Sequence, residues 1–153
     1  MKVIFLDIDG VLNLIPQGHD QYGGIFHPHF IENLKHIIDE TDAQIVISSS
    51  WRYSGLDVMK RMWKHRNLPG NVIDITPIHR EHVIRGIEIK EWLYKHQDIE
   101  SYVIFDDDKD MLEEQMENFV NTFENFTHTD YIDCGYGLTI ECAEEAIKIL
   151  NKK

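Results

Sequence analysis

The feature that most constrains the fold is a set of short, wholly apolar runs, each closed by a polar cluster and separated by sequence of helical period. Val3-Ile4-Phe5-Leu6, Ile45-Val46-Ile47 and Tyr102-Val103-Ile104-Phe105 have the length of strands but not the alternation of a strand with one wet face. Such runs belong to strands covered on both faces, as in a parallel sheet. Val72-Ile73-Asp74-Ile75 fits either a strand or a loop, and Tyr131-Ile132 is a weaker strand candidate. Pro28 suits the first position of a helix, where its missing N–H needs no partner. Phe30, Ile31, Leu34, Ile37 and Ile38 then form one apolar stripe. Leu56, Met59 and Trp63 mark a second helix, ended near Pro69-Gly70, and Ile89, Trp92 and Leu93 a third from about Gly86. Leu112, Met116 and Val120 mark a fourth from Lys109, and Thr139 is placed to cap a last one carrying Ala143, Ala146, Ile147 and Leu150. The alternation predicts an α/β three-layer sandwich around a doubly wound, mainly parallel sheet of about five strands. No repeat, linker or low-complexity tract interrupts the 153 residues, so 1–153 reads as a single domain.

In open parallel sheets, ligands bind beyond the carboxyl ends of the strands. The residues found there are Asp7-Ile8-Asp9-Gly10, then Ser48-Ser49-Ser50-Trp51-Arg52, then Asp106-Asp107-Asp108-Lys109-Asp110. Carboxylates crowded together repel one another and are costly to bury without a cation. Oxygen ligands with no Cys or His among them point to Mg²⁺ rather than zinc, and Mg²⁺ commonly recruits a phosphate oxygen. Hydroxyls at a strand end leading into a helix suit that phosphate. Residue types alone therefore suggest phosphoryl transfer.

Other readings of these residues compete. Asp106, Asp108, Asp110 and Glu117 fall at positions 1, 3, 5 and 12 of a calcium loop, but Met111 stands where that loop needs Gly, and an apolar strand precedes it. A helix continuing from Lys109 through Val120 is the better expectation. Ser50 can also cap the helix that follows it. Trp51 either packs under the sheet edge or offers a stacking face to a base, and Arg52 beside it is either a substrate contact or a structural cation. Arg80 and Lys90 rival Arg85 as the cation nearest the phosphate. Cys134 and Cys142 read as reduced, inert thiols.

Four of these segments, in order, resemble motifs of the haloacid dehalogenase (HAD) superfamily of phosphatases. Asp7-x-Asp9-Gly10-Val11-Leu12 resembles the first, the serine cluster the second, Arg85 opening a helix the third, and Asp106-Asp107 the double-Asp fourth. With Ser-Ser-Ser-Trp-Arg, Arg-Gly-x-Glu-Ile and a late Gly-Leu-Thr, the chain looks like the small HAD domains attached to RNA-repair modules. The resemblance implies a Mg²⁺-dependent phosphomonoesterase that forms an aspartyl-phosphate. Asp7 would be the nucleophile, and Asp9 the acid–base that also lends its backbone carbonyl to the metal. Asp106 and Asp107 would complete the Mg²⁺ site, while Ser49, Ser50 and Arg85 would bind phosphate. Ser49 is the preferred member of 48–50, and Trp51 and Arg52 are read as substrate-binding. A receiver-like or noncatalytic phosphate-binding module is the alternative. It is disfavoured because serines stand after the middle strand, where a receiver has its acceptor Asp.

Residues 14–27 are too few for a lid domain and residues 68–84 suffice only for a modest flap, so little or no cap is expected. That favours bulky substrates: a nucleotide or the phosphorylated end of a nucleic acid. A net charge of −12 weighs against a nonspecific nucleic-acid binder. The charge is uneven, however. Residues 98–153 hold 4 basic and 15 acidic side chains, whereas residues 52–96 hold 9 basic and 5 acidic, leaving a locally basic approach for a polyanion. No run is long enough for a membrane helix, and the expected setting is the cytoplasm, with no membrane partner.

Overall fold

The computed structural model describes residues 1–16, 18–123 and 137–153. Along the chain run β1 (Lys2–Leu6), a short hairpin of β2 (His19–Asp20) and β3 (Gly23–Gly24), and helix α1 (Pro28–Thr41). Then follow β4 (Gln44–Ile47), α2 (Leu56–His65), β5 (Val72–Ile75), α3 (Arg85–Lys95), β6 (Ser101–Asp106), β7 (Phe119–Asn121) and α4 (Ile140–Leu150). Five strands form one parallel sheet in the order β5-β4-β1-β6-β7. The first apolar run is thus the middle strand, with Leu6 in register with Ile47 on one side and Phe105 on the other. The chain builds outward from β1 to β5, then returns to β6, so its direction reverses between β1 and β6. A crevice opens at that switch point. A receiver domain has the other doubly wound order, with its first strand away from the centre, so the topology removes that alternative.

Side-chain alternation divides the core. Ile4, Leu6, Ile45, Ile47, Val103 and Phe105 face the layer made by α1, α2 and α4, where Phe30, Leu34, Met62 and Ala146 meet them. Val3, Phe5, Val46 and Ile104 face α3, which supplies Ile89 and Trp92. Each large apolar side chain so buried contributes roughly 1.5–3 kcal/mol. Trp92 meets Phe5 edge-on at 5.3 Å and satisfies its indole N–H on Asp74 at 2.7 Å.

Two local expectations hold well. Pro28 opens α1, and the Thr139 hydroxyl caps α4 by accepting from the Cys142 N–H at 3.4 Å. Val72–Ile75 is a strand, and residues 14–27 hold only the β2–β3 hairpin, so no cap domain is present among the described residues. The helix expected over 109–120 does not form. Glu113–Asn118 is a 3-10 turn leading into β7, and Met116 is 49% exposed. Gln115 decides this locally: its amide donates to the Gly86 carbonyl at 2.8 Å, and its oxygen accepts from the Leu112 N–H at 2.9 Å. Phe119 and Val120, both strand-prone, then pair with Ile104 and Phe105. The fifth strand is therefore β7; the weaker candidate Tyr131-Ile132, like Cys134, lies outside the described residues. Cys142 is buried, and burial pushes its thiol up. No helix of the described residues is long and apolar enough to cross a membrane.

Candidate active site

The nucleophile candidate extends the central strand. The Asp7 N–H continues the ladder to the Phe105 carbonyl at 3.1 Å, leaving its carboxylate at the strand's end, only 6% exposed. The chain then turns sharply: the N–H groups of Val11, Leu12 and Asn13 all reach the Ile8 carbonyl, at 3.0, 2.8 and 3.2 Å. Gly10 makes the turn with φ of 82°, and a Cβ at that position would strike the Asp107 carboxylate. A left-handed conformation costs an L residue about 1–2 kcal/mol before any clash. Gly10→Ala is therefore expected to lower the melting temperature, through the strained backbone and the displacement of Asp107 together; a thermal melt of the variant beside the unaltered protein checks it.

Asp7, Asp106 and Asp107 each present a carboxylate oxygen within 4.8 Å of the others. Asp7 directly follows β1, Asp106 ends the adjacent β6 and Asp107 follows it, which is why the switch point gathers them. Burial first, and Asp106 second, push the Asp7 carboxyl up to about 8, while Arg85 pulls it back. Burial likewise raises Asp106 to about 6 against the pull of Arg85. Buried carboxyls held this far from their ordinary range lack positive charge, and a hard all-oxygen donor set of this size fits a divalent cation such as Mg²⁺.

Arg85, the first residue of α3, places Nη1 3.0 Å from Asp7 and 2.6 Å from Asp106. Its backbone N–H donates to Asp110 at 3.0 Å. Burial works against its charge, but Asp7 and Asp106 outweigh burial and raise it. Its Nε is buried with no partner among the described residues, a donor that a phosphate oxygen would satisfy. The rivals are elsewhere: Lys90 pairs with Glu114 at 2.8 Å on the surface, and Arg80 is exposed in the loop before α3.

The three serines sit in different surroundings. Ser49, the preferred phosphate ligand, is buried, and its hydroxyl accepts from the Trp51 N–H at 3.2 Å, capping the 3-10 turn Ser50–Ser54. The cap expected of Ser50 thus falls to Ser49. Ser50 instead lines a cavity of about 190 Å³ together with Asp7, Asp9, Arg85, Asp106 and Asp107. Ser48 is fully buried with its hydroxyl unpaired among the described residues.

Arg52, read from the sequence as substrate-binding, is held inside the fold. It is 1% exposed and all five of its N–H groups are taken: Nε by the Thr76 carbonyl, Nη1 by those of Ser48 and Ser49, Nη2 by that of Pro77 and by Glu88. It ties the ends of β4 and β5 to α3. Trp51 is half-buried, and its indole N–H is directed at Asp9 Oδ2 at 3.1 Å. Asp9 itself is exposed and its carboxylate stands outside the three-carboxylate cluster, with Asn13 Nδ2 3.4 Å from its other oxygen.

Four further contributors had no site role assigned from the sequence. Asp108 and Asp110 complete the cavity lining, Thr122 donates to the Gly10 carbonyl at 2.8 Å, and Asn13 reaches Asp9. The acidic run flagged the first two residues and Asn13 closes the segment after the first strand, whereas Thr122 carries no local signal.

The family model for the HAD domain in Swiss Army Knife RNA repair proteins matches residues 3–130. No curated protein matches the chain. The match spans β1 through the acidic cluster and β7, and so covers every strand end that builds the site. The chain belongs to the HAD family found as a domain of Swiss Army Knife RNA repair proteins.

Proposed function

We propose that the chain is a Mg²⁺-dependent phosphomonoesterase working through an aspartyl-phosphate on Asp7. The observation that carries this reading is a buried carboxylate at the end of the central strand, set between two further carboxylates and an arginine. When bound by Asp7, Asp106 and Asp107, the metal would offset the charge of the carboxylates and of the phosphoryl group. An Asp7 oxygen attacks phosphorus as the bond to the leaving oxygen breaks, and Asp9 gives that oxygen its proton. Water then attacks the phosphorus, Asp9 takes the water's proton, and the bond to Asp7 breaks to release phosphate. Arg85, whose Nη1 lies beside Asp7 and Asp106, would hold the phosphoryl oxygens through Nη1 and the unpaired Nε. Ser50, lining the same cavity, adds a hydroxyl donor.

For the substrate we read a nucleotide or a phosphorylated nucleic-acid end. The open site has no cap domain among the described residues, and the family is described from RNA repair proteins. A neighbouring cavity shares Arg85 and Asp110 with the acidic one and is lined by the exposed side chains of Tyr53, His79, Arg80 and His82. An aromatic face with cations beside it suits a base and its phosphodiester.

The test is release of inorganic phosphate from p-nitrophenyl phosphate. Activity is expected to fall to background in EDTA and to return with added Mg²⁺; an undiminished rate without divalent cation overturns the metal assignment. Comparing 5′- and 3′-phosphorylated oligonucleotides with nucleotides and sugar phosphates then ranks the substrates.

A further inference from the structure

Asp9 stands exposed at the mouth of the site, yet its carboxylate is not left to swing. The Trp51 indole N–H donates to Oδ2 at 3.1 Å, while the Asn13 contact to Oδ1, at 3.4 Å, is at the long limit of a hydrogen bond. The indole is itself held. Its ring lies against Gly23, where a Cβ would come within 3.1 Å of it, and packs on Phe26 with centroids 5.4 Å apart. Gly23 belongs to the β2–β3 hairpin, and Arg66 fastens that hairpin to the end of α2. The Arg66 guanidinium makes two bonds to Asp20, at 2.9 and 2.7 Å, and donates to the Gly23 and Gly24 carbonyls at 3.1 and 3.0 Å. It also lies 4.6 Å from the Phe26 ring centre and 5.8 Å from that of Trp51.

Arg66, the hairpin, the indole and the Asp9 carboxylate thus form one continuous set of contacts. We infer that Trp51 is a positioning residue for Asp9, and that the hairpin clamped by Arg66 serves to hold the indole rather than to cover the site. With Oδ2 held by the indole and Oδ1 met only by the long Asn13 contact, Oδ1 is the oxygen that exchanges the proton. Asp9 passes it to the leaving oxygen as the phosphorus–oxygen bond breaks, and recovers one from the attacking water. This inference rests on the proposed phosphatase reading. It gives Trp51 a role in proton transfer, and that role has a distinctive signature. A leaving group that departs easily as an anion needs little protonation, whereas an alkoxide needs it fully.

The experiment compares Trp51→Phe, which keeps the packing ring but removes the N–H, with the unaltered protein on two substrates. On an alkyl phosphate such as β-glycerophosphate, kcat/KM, which reports only the steps through phosphoryl transfer to Asp7 and so leaves out the shared hydrolysis step, is expected to fall by about 10- to 100-fold, as fits partial loss of general acid–base catalysis. On p-nitrophenyl phosphate the loss is expected to be at least about fivefold smaller. Equal losses on both substrates, or none on either, overturn the assignment. Should Trp51→Phe fold poorly, Arg66→Met, which loosens the clamp and leaves the indole in place, is expected to show the same split in weaker form; an even loss there also overturns it. Adding Trp51→Phe to Asp9→Asn should cost nothing further on the alkyl substrate, because the group being positioned is already gone. If the unaltered protein releases phosphate from neither substrate, the phosphatase reading itself fails, a result distinct from an even loss.

Discussion

Replacing Asp7 by Asn is expected to abolish phosphate release, with a fall of at least about 1,000-fold in kcat, while leaving the fold intact. An amide is a poor nucleophile and cannot form the acyl-phosphate, so the reaction loses its covalent route rather than one stabilising contact. The substitution is nearly isosteric, and the site tolerates it for an electrostatic reason. In the absence of a cation the Asp7 carboxyl is raised to about 8 by burial and by Asp106, whereas in the unfolded chain it ionises near 4. Between those values the folded chain holds a proton that the unfolded chain has released, so this group's contribution to stability falls as pH rises from about 4 to 8. Asn removes that dependence. Without Mg²⁺, Asp7→Asn should therefore melt at or above the unaltered protein at pH 8 and show a flatter pH profile. With Mg²⁺ it should gain less, having lost a ligand. Retained activity in a well-folded Asp7→Asn protein would end the nucleophile assignment.

The parts of the fold and site readable in the sequence are those written in contiguous residues. Val3–Leu6 followed by Asp7-Ile8-Asp9-Gly10 contains both the central strand and the turn beyond it, because burial on two faces leaves an unbroken apolar run and the turn needs Gly10. The gathering of Asp106 and Asp107 beside Asp7 follows from parallel pairing alone, once Tyr102–Phe105 is read as a strand. What could not be read depends on partners distant in sequence. The apolar spacing of Leu112, Met116 and Val120 imitates a helix, and only the contact of Gln115 with Gly86 and the pairing of Val120 with Phe105 show that it is not one. Arg52 and Arg85 are alike as residues near strand ends. Thr76, Pro77 and Glu88 consume one, while Asp7 and Asp106 aim the other into the cavity. The three serines differ only by one position each, and their roles separate when Ser49 turns to cap.

Arg52 consequently yields the second large effect, this time on stability. Arg52→Ala is expected to destabilise the protein by about 3–5 kcal/mol, the usual cost of removing one partner of a buried ion pair. For a domain of this size that lowers the melting temperature by about 10 °C. Glu88, 2.5 Å from Nη2 and only 8% exposed, would be left charged without its cation. Burial already pushes its carboxyl up, with Arg52 the leading influence in the other direction. Four carbonyls would lose a donor as well. Glu88→Gln is the informative contrast: the amide oxygen can still accept from Nη2, so the loss should be smaller, about 1–2 kcal/mol. Activity should fall with Arg52→Ala too, because the same guanidinium ties the serine strand end to α3, whose first residue is Arg85. Thermal melts of both variants, with phosphate release assayed well below their midpoints, separate the two effects. A melting temperature unchanged in Arg52→Ala would mean that water replaces the guanidinium at little cost, and that the strand ends are held by the sheet alone.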